Sequence, residues 1–429
     1  MIVALIGLGT VGREVAKLLL TEQQAIFERT GADLRLAVIV DKDLNPREGL
    51  ALPSNVRFTD DLGAALNDSS IGAVIELIGG IDPARQIQLE SLKRKKHVVT
   101  ANKALLAEHG PDLLKEARRQ GVQLRFEGSV AGGIPIIKSL TEALAANRIE
   151  RLYGIINGTA NYILTQMSQK GLSFEEALKD AKRLGFAEAD PTFDIEGTDT
   201  AHKLTLLCRL AFGADMPFSL LSHEGISNLS QIDLCYAAEL GYTIKLLAVA
   251  VRRGDAIEAR AHPALIPNSH PLAAVSNEFN AITVIGDRVG EMMFYGRGAG
   301  GRPTASAIVA DLIDIALGRA YGGVIAYDAK LRIISKEDSI SKWYLRFTVE
   351  DRPGVLGQLA TILGKHKISI EACLQKGGPV DGAVPVVLQT FESKESDIKQ
   401  ATNEIGQMSF IREGTRLIRV EPLRSSGST

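Results

Sequence analysis

Short apolar runs alternate with longer amphipathic stretches over residues 1–130. IVALI, LRLAVIVD, AVIELIG, HVVTAN and VQLRFEG read as strands, and VGREVAKLLL and PDLLKEARRQ between them carry helical spacing. That alternation predicts a parallel sheet covered on both faces, with right-handed crossovers. From residue 131 the pattern changes. GGIPIIKSLTEAL, NYILTQMSQ, SFEEALKDAKRLG and TDTAHKLTLLCRLAFG read as helices, and IERLYGIING as a strand between the first two. TIKLLAVAVRR, AIEARAHPALI, AITVIGDR and EMMFYGRG read as successive strands, closed by the helix GGRPTASAIVADLIDIALG. This segregation predicts an α+β substrate and dimerisation domain over 131–320, with the stretch 303–320 returning to the first domain. Residues 325–342 read as a polar connector. Residues 343–424 then follow the order strand, helix, strand, strand, helix, strand, a ferredoxin-like plan. The tail RSSGST reads as frayed.

Composition narrows the classes. The 429 residues are 45% hydrophobic and 23% charged, with a net charge of −2, so there is no footprint for nucleic acid or an anionic membrane surface. No apolar run reaches the ~20 residues of a membrane span. A glycine motif begins by residue 7 in place of a secretory leader. Cys208, Cys235 and Cys373 are scattered, which points to reduced thiols in a cytoplasmic setting, each a small core residue.

Two segments carry chemistry. Gly7, Gly9 and Gly12 form GxGxxG between a strand and a helix opened by Thr10 and Val11. Gly7 permits the tight turn, Gly9 lets phosphates approach the backbone, and Gly12 lets helix and strand pack closely. The helix N-terminus attracts a pyrophosphate. Asp41 ends the second strand and can bind a ribose 2′-hydroxyl, favouring NAD; Lys42 beside it can meet a 2′-phosphate, favouring NADP. The helix TEQQAIFERTGAD accounts for the long spacing between Gly12 and Asp41. The second segment, GFAEADPTFDIEGTDTAHK, gathers Glu188, Asp190, Asp194, Glu196 and Asp199 ahead of Lys203. Carboxylates there can hold a substrate ammonium, and a lysine can protonate the alkoxide left by hydride transfer to an aldehyde. Neighbouring carboxylates favour its ammonium form, and Lys103 is a second cation within the same chemistry. Asp190 precedes Pro191 and sets a turn, and Glu196 reads equally as a solvated charge.

GLGTVG, TANKALLAEHG, EGSVAGGIPI, NGTANYIL and GFAEADPTFDIEGTDTAHK occur in the order that makes the first 320 residues resemble homoserine dehydrogenase. The resemblance implies interconversion of L-homoserine and L-aspartate 4-semialdehyde with NAD or NADP, a step of threonine, methionine and isoleucine biosynthesis. It implies Lys203 as proton donor, with Lys103 between cofactor and substrate as the alternative carrier of the proton. Glu188, Asp194, Asp199 and Thr159 of the NGT turn are implied on the substrate side, and Gly301 near the cofactor. It further implies a sodium ion held by the Glu127 side chain and the carbonyls of Val130, Gly132 and Ile134. VEDRPGVLGQLATIL resembles the opening of an ACT domain, with Asp351, Pro353 and Gly354 at its ligand-binding turn. That implies feedback control with threonine as effector, and a homodimer or homotetramer. Two other readings fare worse. An aldehyde-oxidising semialdehyde dehydrogenase needs a cysteine nucleophile in a suitable loop, and a catalytically dead sensor has no use for Lys103, Glu188, Asp199 and Lys203.

Overall fold

The apolar runs of the first 130 residues become six parallel strands: β1 Ile2–Ile6, β2 Arg35–Val40, β3 Arg57–Thr59, β4 Ile71–Glu76, β5 His97–Thr100 and β6 Leu124–Arg125. The computed structural model describes residues 1–45, 50–319, 331–376 and 382–423. The tail 424–429 and the 325–330 part of the connector lie outside the described residues. Strand order is β3-β2-β1-β4-β5-β6, so the chain reverses direction across the sheet between β1 and β4. In such a doubly wound sheet the strand C-termini at that reversal open a ligand crevice. The glycine loop follows β1 there, and Lys103 follows β5.

Glycine is required at two of the loop positions. Gly7 has φ +98°, and a Cβ there would lie 2.7 Å from the Leu77 carbonyl carbon. A Cβ on Gly12 would lie 2.0 Å from the Gly7 oxygen. The helix Gly301–Ala316 packs on the first helix, Thr10–Thr21, through a shared core of Val15, Ala16, Leu19, Ile308 and Leu312. The extra helix Gln23–Thr30 separates β1 from β2, as the long spacing to Asp41 suggested.

One helix departs from its sequence pattern. It starts at Lys103, not at PDLL, and runs to Gln120 through Pro111. Proline cannot donate to the carbonyl of Ala107. Arg209 replaces the missing donor: its Nη2 donates to Ala107 O at 2.7 Å and its Nη1 to Leu106 O at 2.8 Å.

The second sheet holds twelve strands and is mixed. Gly290–Arg297, Phe279–Gly286, Ile149–Ile155, Tyr242–Arg253 and Ala256–Pro267 follow one another as antiparallel neighbours. Ala256–Pro267 then pairs in parallel with Arg416–Val420, through Ala264–Arg419 and Leu265–Val420. Beyond it lie Ile340–Glu350, Ala383–Thr390 and Ile370–Gln375, giving the C-terminal module the ferredoxin-like strand order 4-1-3-2.

Sheet pairing and side-chain packing therefore tie this module to the substrate domain. Its own helices cover one sheet face through Trp343, Leu345, Phe347, Leu359 and Ile398. On the other face Tyr344, Val387 and Ile418 share a core with Tyr162, Leu234 and Ile244. Arg346 Nε donates to Asp233 Oδ1 at 2.6 Å beneath that core.

The cysteine expectation holds for one residue. Cys208 is buried and its thiol is pushed up to about 12 by burial, whereas Cys235 and Cys373 are exposed. Both exposed cysteines belong to elements with one wet face, which an isolated hydrophobic residue cannot reveal. Among the described residues no helix is long and apolar enough to cross a membrane.

Candidate active site

The helix Thr198–Phe212 carries Asp199 in its first turn and Lys203 one turn later, so both side chains share a face. Asp199 Oδ2 accepts from Lys203 Nζ at 2.6 Å, and Asp199 Oδ1 lies 3.1 Å from Lys103 Nζ. Lys203 Nζ also donates to the Ile156 carbonyl at 2.7 Å. One carboxylate thus bridges two lysines from different domains. The Asp199 side chain is only 4% exposed and Lys203 9%, while Lys103 is 34% exposed and faces the crevice.

Asn157 ties this group to the acidic segment. It caps the helix Gly158–Lys170 by accepting from Ala160 N, and its Nδ2 lies 2.8 Å from both Asp194 Oδ1 and Asp199 Oδ2. Thr159 Oγ1 sits 3.0 Å from Asp194 Oδ2 and 2.6 Å from Phe186 O. Glu188 is exposed and acts on Lys103 through its charge. Asp190 sets its turn, accepting from Thr192 N and Oγ1.

The electrostatics follow from burial and spacing. Burial alone would raise Asp199, but Lys203 and Lys103 overcome it and hold the carboxyl far below the usual range. Asp194 is raised by burial and by the Asp199 charge. Lys103 is raised, chiefly by Asp199 against its own burial, with help from Asp194 and Glu188. His202 lies beside the cluster between Phe193 and Phe218, and burial depresses it to about 4.

The nucleotide side fits a dinucleotide. The first helix has no side-chain cap and no acid in its first turn, and a Cβ on Gly9 would meet nothing within 4 Å. The loop lip is therefore open, with a positive helix end behind it. Asp41 reaches back to the loop, accepting from Leu8 N and from Asp43 N. Gly301 meets the same helix end: a Cβ there would lie 3.0 Å from Thr10 O. A third glycine loop joins them, since a Cβ on Gly132 would lie 2.8 Å from Gly298.

The Glu127 side chain, ahead of that loop, is buried. Its Oε1 accepts from Ile137 N at 2.9 Å and its Oε2 from Lys138 N at 2.8 Å, so it caps the following helix. Burial pushes it up to about 7 and its neighbour Asp311 to about 8. Ile134 O accepts from Ile136 N. Among the described residues no group of three or more His, Cys, Asp or Glu side chains is gathered for a metal ion.

Sequence reasoning left Ile156 without a role, because a backbone carbonyl carries no residue signal. It also gave Asn157 no specific role, although an Asn-Gly-Thr ahead of a helix is a capping signal.

A doubly wound sheet with an open phosphate loop, facing a lysine–carboxylate cluster on a second domain, defines a nicotinamide-dependent oxidoreductase. Family models match residues 7–127 as the NAD binding domain of homoserine dehydrogenase, 135–313 as homoserine dehydrogenase and 343–407 as an ACT domain. A Neisseria gonorrhoeae homoserine dehydrogenase is 43% identical over 430 residues, covering 98% of each chain, and a Bacillus subtilis one is 38% identical over 426 residues with the same coverage. A Thiobacillus denitrificans homoserine dehydrogenase structure superposes with a TM-score of 0.91 at 42% identity, covering 99% of each chain. The chain belongs to the homoserine dehydrogenase family.

Proposed function

We propose that the two lysines around Asp199 divide the work of interconverting L-homoserine and L-aspartate 4-semialdehyde. The nicotinamide supplies or takes the hydride when bound. Lys203 carries the proton to or from the substrate oxygen, and Asp199 with the Ile156 carbonyl aims its ammonium. Lys103, raised by Asp199, stays cationic and steadies the developing alkoxide. Glu188, Asp194 and Thr159 receive the amino-acid end of the substrate. The observation that carries this reading is Asp199 bridging lysines from two domains. Oxidation of L-homoserine, followed at the nicotinamide absorbance, tests it. No homoserine-dependent signal with either cofactor would end it.

The cofactor is NAD or NADP, bound by Gly7, Gly9, Thr10, Val11, Gly12 and Gly301, with Asp41 at the ribose. Kinetics with NADH and NADPH side by side assign the preference. Sodium enters this proposal as an ion held by the Glu127 side chain and the carbonyls of Val130, Gly132 and Ile134. Its test is thermal unfolding in sodium against choline chloride, where equal midpoints would remove the ion. The effector is threonine at the turn before the helix Val355–Lys365, where Gly354 has φ +88°. The test keeps the chain intact, because removing everything beyond residue 342 would uncover Leu234 and Ile244. Threonine should inhibit the full chain, and Gly354→Val should abolish that response. A cytoplasmic homodimer or homotetramer completes the reading, supported by three free cysteines. Domain divisions after residues 130, 320 and 342 belong to it as well.

A further inference from the structure

The acidic segment is braced from behind by a part of the chain outside the site. Ile226 N donates to Ile195 O at 2.7 Å, and Glu224 N donates to Ala261 O at 2.9 Å on the central sheet. The two backbones touch. A Cβ on Gly225 would lie 2.4 Å from Ile195 O and 2.6 Å from the Glu196 Cα. A Cβ on Gly197, which has φ +81°, would lie 2.8 Å from Glu224 O. Gly197 starts the helix that carries Asp199 and Lys203, and Asp194 lies just ahead of Ile195. Any shift of residues 224–226 therefore moves the groups that face the substrate.

The C-terminal region fixes that brace. Glu224 Oε1 lies 2.9 Å from Arg419 Nη1, on the last strand of the ACT module, and 2.9 Å from Lys336 Nζ, on the segment leading into it. Arg419 is itself held rigid. Its Nη2 donates to Glu395 at 2.6 Å, its guanidinium lies 4.7 Å from the Trp343 ring centroid, and it is 2% exposed. Burial would raise the Glu224 carboxyl, yet Arg419, His262 and Lys336 hold it down at about 2.

We propose that Glu224 is a positioning residue for the substrate half of the active site, clamped by Arg419 and Lys336 so that the ACT module sets the placement of Asp194 and Asp199. It touches no reacting atom and acts through Gly225 and Gly197. Catalytic groups need placement to a fraction of an ångström, and packing behind them supplies it. The nucleotide loop lies on the other sheet, so the effect falls on homoserine and spares the cofactor.

This inference rests on the Asp199 cluster as the homoserine site, and wild-type homoserine oxidation checks that separately. The test uses the full chain with Glu224→Gln, Arg419→Gln and Arg419→Lys. Glu224→Gln and Arg419→Gln should each raise the homoserine KM about 5-fold or more, a typical coupling between distant sites. The cofactor KM should stay within about 2-fold, and Arg419→Lys should recover most of the loss. The double Gln variant should be no worse than the poorer single one, because both remove one interaction. Lys399→Gln, which touches Glu395 but not Glu224, should leave the homoserine KM unchanged. Should the Gln variants fail to fold, Lys336→Gln carries the test, with an expected rise of about 2-fold. An unchanged homoserine KM, additive double-variant effects, or an equal rise in both KM values would overturn the proposal while leaving the Asp199 assignment standing.

Discussion

Two buried charge clusters in this molecule both pair carboxylates with basic side chains and differ in what they leave unmatched. At the domain crevice, Asp199 binds Lys203 and Lys103, while Asp194 nearby pairs with Asn157 and Thr159, has no ion-pair partner among the described residues, and is raised by burial. Lys103 stands a third exposed. At the seam with the ACT module, Arg260 sits between Glu258 and Glu421, and all three side chains are below 10% exposed. Burial would raise Glu421, but Arg260 and His262 draw it down to about 2. The seam is closed on itself. The crevice keeps a carboxyl that an incoming ammonium can pair with and a cation that an incoming oxygen can use. Openness, not composition, separates a site from a brace.

The sharpest way to break this comparison is at the proton. Lys203→Ala should lower turnover by ~10²–10⁴-fold with cofactor affinity nearly unchanged, as measured by steady-state kinetics and cofactor titration. Near-normal turnover would hand the proton to Lys103. At the seam the loss should appear as stability. Arg260→Gln leaves buried Glu421 with only His262 and Glu258 with only the more exposed Arg253, and should cost about 3–5 kcal/mol in urea unfolding, with far smaller changes in kinetic constants than Lys203→Ala. Asn157→Ala removes a helix cap worth about 1 kcal/mol and should also raise the homoserine KM, since Asp194 and Asp199 lose their shared donor.

The smallest effect concerns pH. His202 is depressed from its ordinary 6.5 to about 4 by burial, so between those values the unfolded chain binds a proton that the folded chain does not. Its stability contribution is intact above pH 6.5 and falls away as pH drops toward 4. His202→Asn should lose less stability than the wild type between neutral and mildly acidic pH in denaturant titrations.

The parts of this fold legible in the chain were those written locally. Apolar runs and GxGxxG each lie within a few residues, and each became the element it implied. What stayed hidden was long-range or carried by backbone. The sheet joins the ACT module through two residue pairs separated by more than 150 positions, with no pattern to mark them. Pro111 sits inside a helix because Arg209, from another helix, supplies the missing donor. Glu127 spends its oxygens on two amides, which a carboxylate letter cannot announce. Lys103, Asp194, Asp199 and Lys203, each inside a recognisable motif, lie together in space, whereas Glu224 lies outside every motif and gains its place only through Gly225 and Gly197.

The parallel pairing of Ala256–Pro267 with Arg416–Val420 has a consequence for the shape of any signal. A lobe on a flexible tether can swing; one stitched into a common sheet can only flex it. A message from the C-terminal end must then travel as altered twist or stiffness across the strands, and a chain lacking that end would present a bare hydrogen-bonding edge in need of another cover.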